Sequence, residues 1–220
     1  MQKYKNGGNT IRAIDTLGAL TGQIGVKGGG VNYANKVLSR ILDLDPFKSG
    51  EIGENREFYV SNINEFIEEP KKYSLSVEDS NAPIKIMVIA NSNLMNQLPN
   101  LNRLNNSIDK VEFKVCFDMF MTDTSKCDLF IPCTNTLESE DMVFSSMTNP
   151  YLIYNEKIIE PREKLMDEYW FFRELAKRMN LKGYPILSKK EYLSKVIEPL
   201  MRYNKDITLD YLKNNPFTVY

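Results

Sequence analysis

The clearest signal in the chain is "IKIMVIANSN". Ile84 to Ala90 is a nearly continuous apolar run rich in β-branched residues, the pattern of a central strand covered on both faces. Polar Asn91, Ser92 and Asn93 follow at its C-terminal end. "LPNLNRLNN" predicts a helix with Leu101 and Leu104 facing inward. "VEFKVCF" gives a second strand, and "DLFIP" a third that stops at Pro132. Strand, helix, strand, short crossover and strand is the rhythm of a parallel α/β sheet. The expected fold class is therefore α/β, a parallel-sheet Rossmann-like three-layer domain with additional C-terminal helices.

Weaker patterns flank this centre. In "NGGNTIRAIDTLGALTGQIGVKGGG", Asn9 or Thr10 is placed to cap a helix. Ile11, Ile14, Leu17 and Leu20 would form one apolar face. Gly22 suits the left-handed residue that ends it, and Gly28 to Gly30 mark either a flexible turn or a close approach to backbone or ligand. From Leu42 to Pro83 the chain is polar and broken by Pro46, Gly50 and Gly53, with a short helix over Asn62 to Glu69. "YLIYNEKIIEP" predicts two short edge strands around Asn155. "DEYWFFRELAKRMNLKG" predicts a helix capped by Asp167, with Phe171, Leu175 and Met179 as its stripe. "SKKEYLSKVIEPLMRY" opens with a capping box of Ser188 and Glu191. These patterns divide the chain into four: 1–45, a helix and Gly-rich loop on the main domain; 46–83, a variable connector; 84–185, the α/β domain; and 186–220, a helical extension.

Composition narrows the chemistry. The 220 residues carry 28 basic and 29 acidic side chains, a net charge of -1, which implies neither a nucleic-acid partner nor an anionic surface. No apolar run reaches the length of a membrane span, so a cytoplasmic protein is the expectation. The chain contains no histidine, which excludes a Ser-His-Asp triad, a His base and His metal ligands. Cys116, Cys127 and Cys133 are spaced too widely for a C-x-x-C site and read as small hydrophobes. The absence of a G-x-x-x-x-G-K-[ST] loop argues against a separate mononucleotide enzyme.

In an open parallel sheet, ligands bind beyond the C-terminal ends of the strands. Three polar groups fall there: Asn91 to Asn93, Asp118 with Thr122 and Thr124, and the loop after Pro132. Asp118 can accept the paired N1–H and N2–H donors on one edge of guanine, while Ser92 and Thr122 can donate to phosphate or ribose. The plainer reading is that Asp118 and Thr122 close a turn. "ESED", with Glu138, Glu140 and Asp141, reads as a solvated acidic loop, because a hard cation needs further oxygens from separated positions.

Four pieces of the chain, "QKYKNGGNTIRAIDTLGALTGQIGVKGGGVNYA", "IANSNLMNQLPN", "FDMFMTDTSKCDLFIPCTNTLESED" and "EPREKLMDEYWFF", follow one another in the order found in molybdopterin oxidoreductases. The chain resembles the dimethyl-sulfoxide-reductase family over most of residues 1–180. That resemblance implies part of a catalytic subunit holding molybdenum or tungsten between two molybdopterin guanine dinucleotides. Matched residue by residue, it places Gln2 near the cofactor, Ser92 and Asn93 in the polar turn, and Phe117 with Asp118 at the nucleotide. It also makes Asp167 a cofactor contact at a helix start. Ser139 falls where relatives can carry Lys, so its role stays open.

The family's metal-binding Cys, selenocysteine or Ser, its iron–sulfur segment and its C-terminal domain have no counterpart here. The chain thus looks like an internal piece that contacts one nucleotide and no metal. It is expected to be inactive alone and to work with the missing domains and an iron–sulfur electron-transfer subunit. The alternative is a cofactor-free module that self-associates, as a homodimer, through an exposed sheet edge.

Overall fold

The computed structural model describes residues 5–31, 41–43, 56–73, 82–143, 151–162, 165–215 and 218–219. Its centre is a parallel sheet of β1 (Ile86–Ala90), β2 (Phe113–Asp118) and β3 (Leu129–Pro132), in the order β1-β2-β3. Ala90 pairs with Phe117, and Asp118 with Pro132. All three strands therefore end at the same rim. The fold is mixed α/β, with a three-strand parallel sheet and several helices.

Side chains alternate across a strand, so each face needs its own cover. On one face, Ile89 and Cys116 join Ile63, Ile67, Leu94, Leu104 and Ile108 in a buried cluster. These come from α2 (Ile63–Glu68), α3 (Leu94–Gln97) and α4 (Leu101–Ile108). On the other face, Val115, Phe117 and Ile131 pack against Phe171 of α5 (Glu168–Arg178). This second cover reaches β2 and β3 only. Ile86 is 64% exposed and Val88 43%, so the expectation of a central strand buried on both faces is corrected: β1 lies at the edge of the described sheet. Its apolar run reflects one buried face and one open face.

Other local expectations meet mixed outcomes. Helix α1 spans Gly7–Leu20, with Asn6 rather than Asn9 or Thr10 at its N-cap and no side-chain cap bond. Its Leu17 and Leu20 are exposed. Gly22 does take a left-handed conformation at the helix end, φ 67°. A Cβ on Gly29 would lie 2.8 Å from the Gln23 carbonyl, so this glycine serves a backbone approach within the loop itself. Leu104 is fully buried, but Leu101 faces outward. Asp167 caps α5 and Ser188 caps α6 (Lys189–Ile197) with its capping box intact.

A second sheet was not anticipated. β4 (Asp141–Val143), β5 (Tyr151–Asn155) and β6 (Thr218–Val219) form an antiparallel set in the order β4-β5-β6. Only one strand comes from "YLIYNEKIIEP"; beyond it, the Ile158 and Ile159 N–H groups both donate to the Leu137 carbonyl. Leu152 of β5 enters a buried cluster with Leu193, Val196, Ile197 and Leu200, and with Leu209 and Leu212 of α7 (Leu209–Asn214). No helix among the described residues is long and apolar enough to cross a membrane.

Candidate functional site

Parallel pairing brings the loops after β1, β2 and β3 to one rim, where they border a cleft of about 650 Å³. A short continuation of the sheet brings in the start of α5. Cys133 bridges to Met166, and the Met166 N–H donates to the Pro132 carbonyl at 3.3 Å. Asp167, the next residue, therefore stands beside the end of β3. Asn91, Ser92, Asn93, Asp118, Thr122, Ser139 and Asp167 all line the cleft. With Phe117, eight of the nine residues singled out in the sequence thus meet in one place. Gln2 lies outside the described residues. Phe117 borders the cleft as its floor: its ring is buried and packs edge-on against Phe171, centroids 5.0 Å apart. That packing places the aromatic face in the core, away from any stacking role.

The polar groups divide into those already bonded and those with capacity left. Asn93 is committed, since its Oδ1 accepts from Thr124 Oγ1 at 2.6 Å and Asn96 Nδ2 at 3.1 Å. Asn91, left-handed at φ 51°, donates from Nδ2 to Glu168 Oε1 at 3.4 Å. Asp118 Oδ1 accepts the Phe120 N–H at 3.1 Å, which is the turn contact of the plainer reading. A carboxylate offers about four acceptor sites over its two oxygens, so that one bond leaves room for a ligand. Thr122 is less ordinary. Its Oγ1 faces the Ser125 N–H in a capping arrangement, but that N–H bonds the Thr122 carbonyl instead. The buried Oγ1 is left without a partner, a state that costs about 1–3 kcal/mol unless something else supplies the bond.

Asp167 uses both oxygens. Oδ1 accepts the Trp170 N–H at 2.7 Å as the helix cap, and Oδ2 receives Lys189 Nζ at 2.9 Å. Lys189, on α6, was missed in the sequence. Its local signal was a basic pair, Lys189 and Lys190, in the first turn of a helix, the end where the dipole disfavours cations. Ser139 lines the cleft and accepts from Asn155 Nδ2 through its carbonyl at 2.9 Å. The acids of "ESED" are bonded within the protein. Glu138 caps the Asn135 turn, Glu140 accepts from Tyr154 at 2.6 Å, and Asp141 lies 3.5 Å from Lys189. Among the described residues no group of acids and cysteines is arranged to hold a metal ion. Burial pushes the Cys133 thiol up to about 12, and Cys116 is wholly enclosed, in keeping with their reading as hydrophobes.

Comparison with known proteins follows the same outline. The chain is 32% identical to the probable oxidoreductase YyaE of Bacillus subtilis (strain 168), a match covering 97% of this chain and 31% of that protein. It is 28% identical to the dimethyl sulfoxide reductase DmsA of Escherichia coli (strain K12), covering 82% of this chain and 24% of the relative. The chain thus spans about a third or less of these curated relatives. Among solved structures, acetylene hydratase from Pelobacter acetylenicus superposes with a TM-score of 0.52 over 70% of this chain and 24% of that one, at 22% identity, a likeness of fold. Residues 1–178 match the profile of the molybdopterin oxidoreductases. The chain belongs to the molybdopterin oxidoreductase family.

Proposed function

We propose that this chain is the nucleotide-holding part of a molybdopterin oxidoreductase, with the rim cleft taking the guanine end of one molybdopterin guanine dinucleotide. The observation that carries the reading is Asp118, which ends the central strand on the cleft with acceptor capacity left. Guanine is the base whose edge presents paired N–H donors to such a carboxylate. The cleft also suits the rest of a nucleotide: Asn91 and Ser92 offer donors there, with Thr122 beside them in its lining. Asp167 and Ser139 close its far side. A Rossmann-like three-layer arrangement, completed by other parts of the subunit, is the fold this reading implies.

The bound cofactor supplies the redox chemistry; the residues here bind and orient it. The metal ligand, the substrate site and any contact with an iron–sulfur subunit belong to the remainder of the enzyme. Calorimetry with GMP and GDP, beside an Asp118→Ala variant, tests the reading. Saturable binding that weakens by about tenfold or more in the variant is expected, the loss typical of a hydrogen bond to a charged group. Equal binding by both proteins, or none by either, would end it.

The open face of β1 favours a second reading, self-association without cofactor. Ile86 and Val88 present apolar side chains on a strand at the edge of the described sheet, and such edges pair with other chains. Sedimentation equilibrium separates the two: a dimer dispersed by Val88→Lys, without nucleotide binding, would put this reading first.

A further inference from the structure

We infer that Lys189 is the anion contact of the cleft, the group that meets the phosphates of a bound nucleotide. Among the described residues lining the cleft, Lys189 is the one cation, set against Asp118, Asp141, Asp167 and Glu168. Those four carboxylates suit the N–H edge of a base and oppose a phosphate. Coulombic repulsion at such range in a half-enclosed site outweighs what neutral hydroxyls return, so an entering phosphate needs a positive partner. Lys189 has the position for it. Its side chain is only 15% exposed, with Nζ 2.9 Å from Asp167 Oδ2 and 3.5 Å from Asp141 Oδ2.

The two carboxylates hold it unequally. Asp167 is a buried-side helix cap, fixed by its bond to the Trp170 N–H. Asp141 is 59% exposed and makes the longer of the two contacts, at 3.5 Å. An ammonium has three donors, so Asp167 can orient the lysine while a phosphate oxygen takes the place of the looser Asp141 contact. Lys189 also borders the adjoining groove of about 710 Å³, which shares Thr134, Ser139 and Asp167 with the cleft. It thus stands where a ligand longer than a nucleoside would pass. The residue lies beyond the family match, which ends at 178, and reaches the cleft from the first turn of α6.

This inference rests on reading the cleft as a nucleotide site, and the test separates the two. The 220-residue chain is titrated with inorganic pyrophosphate and, separately, with guanosine, beside Lys189→Met and Lys189→Arg. Saturable pyrophosphate binding is expected, weakened by about tenfold or more in Lys189→Met and retained in Lys189→Arg. Guanosine affinity should stay within about twofold in both, since it carries no phosphate for the lysine to meet. Pyrophosphate should also protect Lys189 of the unaltered chain from acetylation, read by peptide mass spectrometry. That readout decides the matter if Lys189→Met does not fold. Absence of pyrophosphate binding, equal binding in Lys189→Met, or no protection overturns the inference, whatever guanosine does. Pyrophosphate binding without guanosine binding would instead leave Lys189 in its role and remove the guanine reading.

Discussion

Thr124 donates its hydroxyl proton to Asn93 Oδ1 at 2.6 Å, and Thr124 Oγ1 in turn accepts the Met95 N–H at 3.2 Å. One buried side chain thereby ties the turn after β2 to the start of α3, thirty-one residues away in sequence. The contact fixes the spacing of two of the loops that form the cleft. Thr124→Val keeps the shape, takes the acceptor from the Met95 N–H and leaves Asn93 Oδ1 with the Asn96 bond alone. A loss of about 1–3 kcal/mol is expected, measured as a lower urea midpoint at unchanged slope.

The guanine reading makes a separate claim about the base. Inosine keeps the N1–H and lacks the 2-amino group, so it offers Asp118 one donor instead of two. Inosine should bind about tenfold more weakly than guanosine, and Asp118→Ala should erase that difference. Competition calorimetry measures the ratio directly.

Glu68 joins α2 to α4. Its carboxylate accepts from Arg103 at 2.7 Å and from Ser107 at 2.7 Å. The Arg103 bond first, then that of Ser107, holds it down from the ordinary 4.5 to about 2. A depressed carboxyl stabilises the fold above its unfolded value and loses that contribution as pH falls toward the folded one. Thermal stability should therefore decline between about pH 5 and pH 2 more steeply in the natural chain than in Glu68→Gln. Melting curves across that range compare the two.

Leu152 is fully buried, where β5 meets the C-terminal helices. Leu152→Ala should cost about 2–5 kcal/mol through lost burial and the cavity left behind. If the two sheets unfold together, the whole transition shifts; hydrogen exchange would show protection falling in β2 as well as β5.

Cys133 provides a chemical probe of the rim. Burial lifts its thiol from the ordinary 9.0 to about 12, which lowers the thiolate fraction near pH 8 by about a thousandfold. Slow alkylation by iodoacetamide is expected in the native state, with rapid reaction in urea. Fast native labelling would mean the Cys133–Met166 bridge opens readily.

Sequence pattern reached the parallel strands, the caps at Asp167 and Ser188, and the polar groups at the strand ends, because each is written in neighbouring residues. An apolar run followed by Asn91-Ser92-Asn93 marks a strand and its end within ten positions. Even so, the pattern cannot tell a strand with two covered faces from one with a single covered face. Ile86 and Val88 have the side chains of a buried strand and an open face, since burial depends on what lies across the sheet. Of the antiparallel β4-β5-β6 set only β5 was legible: its outer strands are two and three residues long, and β6 pairs with β5 across sixty-odd positions.

What the sequence determined by itself was the local chemistry: an acceptor at Asp118, hydroxyls at Ser92 and Thr122, and a capping carboxylate at Asp167. Tertiary structure alone decided which of these retain capacity. It committed Asn93 to Thr124, turned Phe117 into the core, left Thr122 Oγ1 without a partner and brought Lys189 in from a distant helix. Residue type sets what a group can bond. Only packing sets whether a protein partner has already taken the bond.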